Sequence, residues 1–428
     1  MQIYVIQQGD SLWNIAQAYE SSVTDIVEAN QIPDPNQLVI GQSIVIPIVG
    51  QFYWVQLGDS LWSISRQFGL DYMFLADINE LSIQQPLQVG MRLYIPELTK
   101  REIESNAYIE PIGETVSEEL LISARNVGRF LTYLAPFSYE ARRDGSLDPQ
   151  PLNGIPEIAE ETGASLMMVI TNLEDGQFSG ELAVDILQSE EVQDRLLDTI
   201  IEEALRVGYK DIHFDFEFLP GDQREAYNQF LRKAAERIRA NGLLISTALA
   251  PKTRADQPGQ WYEAHDYRAH GEIVDFVVLM TYEWGYSGGP PMAVSPIGPV
   301  EEVVQYALTE MPANKIMLGQ NLYGYDWTLP FVPGGDYAEA ISPQEAIQRA
   351  QRYQVAIQFD EDAQAPFYFY TDEEGSEHEV WFEDARSIQA KFDLIKRLQL
   401  RGISYWKLGL AFPQNWLLLA DRFQIVKR

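Results

Sequence analysis

The eight residues from Asp211 to Phe218 alternate polar and apolar without a break, Asp-Ile-His-Phe-Asp-Phe-Glu-Phe. A period of two belongs to a β-strand, with every polar side chain on one face. The flanks restrict what such a strand can join. Upstream, Val192, Leu196, Leu197, Ile200, Ile201, Ala204 and Leu205 recur at helical spacing between Ser189, a cap, and Gly208, a stop. Downstream, Asp222 and Glu225 have capping-box spacing ahead of an apolar stripe from Tyr227 to Ile238. Asn241-Gly242 ends that helix, and Leu243 to Ala250 reads as another strand. A helix-strand-helix-strand run predicts a parallel sheet covered by helices. Ile212, Phe214, Phe216 and Phe218 then pack against helices, and the polar face points to the other side of the sheet.

On that polar face His213, Asp215 and Glu217 follow one another at every second residue, which puts the two carboxylates about 6.5 Å apart at the usual strand rise. Acids this close push their pKa values apart. One stays ionised while its neighbour can give a proton at neutral pH, the division of labour that cleavage of a glycosidic bond requires. An antiparallel strand with one wet face shows the same alternation. The flanking helices weigh against it, and three ionisable groups inside a closed sheet are costly enough to mark a site.

Charge excludes several other functions. The 63 acidic against 31 basic residues give a net charge of −32, which repels nucleic acid and anionic membranes. There is no cysteine, hence no disulfide framework and no thiolate chemistry. Met1 to Val5 has no basic or apolar leader character, and no apolar run approaches the length of a membrane span. The expectation is a protein made without a cleaved signal, with no nucleic-acid partner and no membrane insertion.

Residues 3–47 and 52–96 form an ungapped repeat with a period of 49. Gly9-Asp10-Ser11-Leu12-Trp13 recurs as Gly58-Asp59-Ser60-Leu61-Trp62, Asn30 as Asn79, Gly41 as Gly90 and Pro47 as Pro96. Each copy predicts a strand (Tyr4 to Gln7; Tyr53 to Gln56), two short helices opened by the Asp-Ser pair, and a second strand (Ser43 to Ile46; Arg92 to Ile95), a small independent βααβ module. Core packing is the favoured role for Trp13 and Trp62 over ligand stacking. The repeat resembles the LysM module, which implies binding of N-acetylglucosamine polymers, peptidoglycan or chitin, in the groove between the opening loop and the loop before the last strand. By position that points to Gly9, Asp10 and Ser11 and to Gly58, Asp59 and Ser60.

The chain therefore divides into modules at 1–48 and 51–98, a polar connector at 99–127 and a large domain at 128–428. In the large domain, strands are predicted at Arg129 to Leu134, Ser165 to Thr171, the Asp215-Glu217 stretch, Leu243 to Ala250, Phe276 to Tyr282, Lys315 to Leu322 and Gly402 to Leu408. Apolar runs of this kind separated by helices fit an α/β fold, a (β/α)8 barrel of the TIM type. A doubly wound open sheet would carry a glycine-rich phosphate loop, and none follows any strand. An insertion at about 327–382, between strands seven and eight, holds a helix capped by Ser342 and Glu345 and a hairpin turning at Glu373-Glu374-Gly375, a small α+β element. Aromatic residues gather at strand ends, among them Tyr282, Trp284, Tyr323, Tyr325, Trp327 and Trp406, as a glycan cleft would need.

With Phe214-Asp215-Phe216-Glu217, Leu279-Met280-Thr281-Tyr282-Glu283-Trp284, Gly319-Gln320-Asn321-Leu322-Tyr323-Gly324 and Gly402-Ile403-Ser404-Tyr405-Trp406, the large domain resembles the family 18 glycoside hydrolases, and among them LysM-bearing spore enzymes that degrade cortex peptidoglycan. The resemblance implies a retaining, substrate-assisted N-acetylglucosaminidase. Glu217 would be the acid/base, Asp215 would hold the substrate's acetamido N–H, Tyr282 would contact its oxygen and Trp406 would floor the subsite. Glu283, Trp284, Tyr323 and His213 complete the expected substrate contacts. Lys210 and His213 stand where the family carries aspartates, which makes His213 a candidate donor to Asp215. Glu283 stands where an aspartate commonly follows the tyrosine. No metal or other cofactor is implied. The implied location is the spore coat/cortex boundary or the cell wall. A chitinase of the same chemistry fits these motifs too, and a non-catalytic glycan-binding coat protein would be marked by loss of Glu217.

Overall fold

Eight parallel strands close on themselves: β1 (Arg101–Ile109), β2 (Tyr133–Pro136), β3 (Ser165–Thr171), β4 (Asp211–Asp215), β5 (Leu244–Leu249), β6 (Phe276–Leu279), β7 (Ile316–Asn321) and β8 (Gly402–Trp406). Each pairs with the next, and β8 pairs with β1 in register Ser404 to Asn106, which closes the barrel. This computed structural model describes residues 1–83, 85–96 and 100–428; the predicted module end at 98 and connector start at 99 lie outside them.

The predicted connector is the main correction. Arg101–Ile109 is the first barrel strand, and Glu118–Val127 is the helix that returns from it. Its sequence hides this because Glu104, Ser105 and Asn106 are polar yet fully enclosed. Arg401 and Arg428 neutralise Glu104, Ser105 Oγ donates to Phe130 O at 2.5 Å, and Asn106 Nδ2 donates to Ser404 Oγ at 2.8 Å. Partnered in this way, polar residues can occupy a central strand at a reduced cost, with the Asn106 side-chain oxygen left unmatched. Arg129 falls in a short 3-10 turn, so β2 starts later than its apolar run suggests.

The helix before β4 runs Glu190–Val207, with Ser189 accepting from Val192 N and Gly208 in the left-handed region at φ 96°. The helix after it, Arg224–Ala240, has no side-chain cap: a 3-10 turn at Gly221–Gln223 supplants the expected Asp222 box. Phe214 and Phe216 pack outward against Phe230 at 5.4 and 6.3 Å. Phe218 departs from the alternation. Its φ is 56°, and its half-exposed ring stacks on Trp261 at 6.2 Å.

The insertion is a five-stranded antiparallel sheet that begins at Gly324–Leu329, earlier than expected, with the capped helix Pro343–Arg352 against it. The Ser342/Glu345 capping box is formed, and the hairpin pairs Ala365–Thr371 with Glu377–Trp381.

In each LysM-like repeat, Gln2–Val5 pairs with Ser43–Ile46, or Gln51–Trp54 with Arg92–Ile95. The aspartates are spent inside their loops: Asp10 accepts from Gln7 N and Tyr4 OH, and Asp59 from Gln56 N and Tyr53 OH. Ser11 and Ser60 cap the first helices. Trp13 and Trp62 are not core residues; they are 64% and 63% exposed, because they sit on the outer face of those helices while Leu12 and Leu61 point inward. Nor is the first repeat independent. Val45 belongs to the core beneath the barrel helices, and Val39 belongs to the core of the insertion.

Candidate active site

Glu217 lies just past the C-terminal end of β4, and Asp215 is that strand's last residue. Both are more than nine-tenths enclosed, at the bottom of a cleft of about 520 Å³. Asn172, just past β3, clamps the Glu217 backbone from both sides: Oδ1 accepts from Glu217 N at 2.9 Å, and Nδ2 donates to Glu217 O at 2.8 Å. His265 Nε2 donates to Phe216 O at 2.9 Å while its Nδ1 accepts from Ala250 N. The acid is thus fixed through its main chain, and Trp261 Nε1 donates to its Oε2.

Burial raises the Glu217 carboxyl well above the usual range, and the neighbouring Asp215 charge adds to it; the Trp261 hydrogen bond works the other way. Burial also raises Asp215. Asp215 Oδ1 is buried without a hydrogen-bond partner, and the residue lines the cleft. An acceptor left without a partner beside a cleft has capacity for a donor from a ligand.

His213 sits below the cleft and cannot touch substrate, contrary to expectation. Nor does it serve Asp215. Its Nε2 is 2.9 Å from Tyr108 OH and its Nδ1 2.7 Å from Ser246 Oγ, and Ser246 in turn donates to Asp211 Oδ2 at 2.5 Å. Burial pushes His213 down to about 3 and Asp211 up to about 7. The imidazole is neutral, which suits Tyr108 O–H donating to Nε2 and Nδ1–H donating to Ser246.

Tyr282, Glu283, Tyr323 and Trp406 all line the cleft. Glu283 accepts from Tyr323 OH and from Tyr325 OH at 3.0 Å, and burial raises it. Trp406 stands edge-on to Phe137 at 4.7 Å and Tyr108 at 5.4 Å. Trp284 is the exception. Glu283 has φ 67°, which turns the chain, and Trp284 packs against the outer core instead. Gly9, Asp10, Ser11, Gly58, Asp59 and Ser60 lie in the two N-terminal repeats and contribute nothing to this cleft.

Sequence reasoning missed Asn172, Trp261, Tyr108 and the Lys407–Glu110 ion pair at the rim. Only Asp211, already on the polar face of the alternating stretch, carried a readable signal.

Residues 141–411 match the family model for glycosyl hydrolases family 18, and residues 4–47 and 53–96 match that for the LysM domain. The chain is similar to the cortical fragment-lytic enzyme of Bacillus subtilis (strain 168), at 67% identity over 428 residues, 100% of this chain and 99% of that protein. Among solved structures, the Bacillus megaterium QM B1551 spore cortex-lytic enzyme SleL superimposes with a TM-score of 0.92 at 53% identity, covering 100% of this chain and 99% of that one. A chitinase from Chromobacterium violaceum ATCC 12472 shares the fold, with a TM-score of 0.68 at 22% identity over 75% of this chain and 98% of its own.

Proposed function

The chain belongs to the glycosyl hydrolases family 18, and from that premise we propose that it cleaves N-acetylglucosaminyl bonds in the peptidoglycan of the spore cortex. The observation that carries the reading is the pairing of a high-pKa Glu217 with an Asp215 whose buried oxygen has no partner. Glu217 gives its proton to the leaving oxygen as the C1–O bond breaks, and the substrate's own 2-acetamido oxygen closes on C1. Asp215 Oδ1 accepts the acetamido N–H and offsets the positive charge of the oxazolinium ion. Glu217, now a carboxylate, takes a proton from the incoming water, which opens the ring and retains configuration. Tyr282 contacts the acetamido oxygen, and Trp406 offers its face to the sugar. The N-terminal LysM region holds the polymer, and the place of action is the cortex or its boundary with the coat.

The test is reducing-end release from purified spore cortex fragments and from chitin oligomers, comparing wild type with Glu217→Gln and identifying products by mass. Cortex cleavage with N-acetylglucosamine at the new reducing ends, lost in the variant, supports the reading. Cleavage of chitin alone moves it to a chitinase, and retained binding without cleavage of either moves it to a glycan-binding protein.

A further inference from the structure

The two LysM domains share a pattern and a fold, but the loop that closes the groove has different surroundings in each. In the first domain the carbonyls of that loop are already engaged by the catalytic domain. Gln344 Nε2 donates to Gln31 O at 2.9 Å, Gln351 Nε2 to Gln37 O at 2.7 Å, Ile357 N to Ile40 O at 2.8 Å and Arg386 to Gly41 O at 3.1 Å. A Cβ on Gly41 would lie 1.8 Å from Ile357 O, so the two backbones are in direct contact. At the equivalent Gly90, a Cβ meets nothing within 4 Å. Among the described residues, 85–91 make no hydrogen bond to the barrel domain.

The sequences diverge where the surroundings do. Val39, buried in the insertion core, is matched by exposed Gln88. Ser43, buried and accepting from Ala385 N at 3.2 Å, is matched by Arg92, which turns instead to Ala18 O and Glu20 of the first domain. The second domain therefore hangs on the first, and the first is built into the barrel.

We infer that the N-acetylglucosamine polymer is gripped by the second LysM domain alone, and that the first is a fixed dock joining the second to the catalytic domain. This rests on the reading of these domains as glycan binders. Tethered sites multiply affinity only when all can be engaged, and a sugar entering the first groove would have to displace contacts the protein makes with itself. The second domain then presents the polymer at a set distance and angle from the cleft.

The absence of cysteine makes the test direct. Gln8→Cys and Leu57→Cys, equivalent exposed positions beside the two opening loops, are each coupled to a bulky polyethylene-glycol maleimide in the full-length Glu217→Gln protein. Depletion onto insoluble peptidoglycan is then measured, with unchanged thermal midpoints confirming folded adducts. The Leu57 adduct is expected to weaken binding at least about tenfold and the Gln8 adduct less than about twofold, the first of these being a shift of ~1.4 kcal/mol. Comparable loss from both, or loss from Gln8 alone, overturns the inference and leaves the domains as glycan binders. Loss from neither overturns the inference and that reading together.

Discussion

Asp211→Asn should stabilise the protein in a way that depends on pH. Asp211 is wholly enclosed, and burial lifts its carboxyl from 3.8 to about 7. The folded state then holds the proton more tightly than the unfolded chain, so stability is lost as pH climbs from about 4 to about 7 and is constant above. Each pH unit between the two values is worth about 1.4 kcal/mol, an upper bound of ~4 kcal/mol; local relaxation brings the expectation to roughly 2–4 kcal/mol. Asparagine can accept from Ser246 without a charge to bury, so the variant pays none of this. Thermal midpoints of variant and wild type, measured side by side from pH ~4.5 to ~8, should diverge in favour of the variant by about 3–6 °C. Any fixed cost of the amide shifts the curve without tilting it. A gap that stays constant across the series, or that narrows as pH rises, refutes the argument.

Asp215→Asn removes the charge that helps raise Glu217, so the residual activity should lose its alkaline limb at a lower pH than wild type in a pH–rate profile. Asn172→Ala breaks both hydrogen bonds to the Glu217 backbone and leaves buried groups unmade, at about 1–3 kcal/mol in denaturant unfolding; kcat should fall more than KM rises. Gly41→Ala and Gly90→Ala carry similar strain at φ 84° and 83°, but only the first meets Ile357 O. Unfolding should show Gly41→Ala to be the more damaging by at least ~1 kcal/mol. With a net charge of −32, affinity for peptidoglycan should not come from charge attraction, so binding should change less than about threefold between ~0.05 and ~0.5 M salt.

The barrel was legible where strands are apolar or alternate, because periodicity reports burial on one face. It was not legible at Arg101–Ile109, where burial is offset by partners far away in sequence: Arg401, Arg428, Ser404 and Thr132. The same limit applies to the site. Asp215 and Glu217 stand out because one alternating stretch of sequence carries both. Asn172 is a lone residue just past another strand, and its role exists only once β3 and β4 lie side by side. Glu283 and Trp284 are neighbours in a motif, yet a single left-handed φ sends one into the cleft and the other into the outer core. The repeats were legible as modules, while their unlike environments were written only in substitutions such as Val39 against Gln88.

That dissimilarity connects the N-terminus to the chemistry. Val39 closes the apolar core of the insertion against Ile341, Ala346 and Tyr368. Ile341 pairs with Gly324 in the insertion sheet, and the next residue on that strand is Tyr325, whose hydroxyl holds Glu283 at the cleft wall. A packed core transmits displacement because it has few voids to absorb it. The first LysM domain therefore does more than carry the second: it packs into the insertion whose first strand supplies Tyr325 to the cleft wall. Its removal subtracts from the rigidity of the cleft as well as from the reach of the protein, which distinguishes it from a tethered binding module, whose loss would leave the catalytic site as it was.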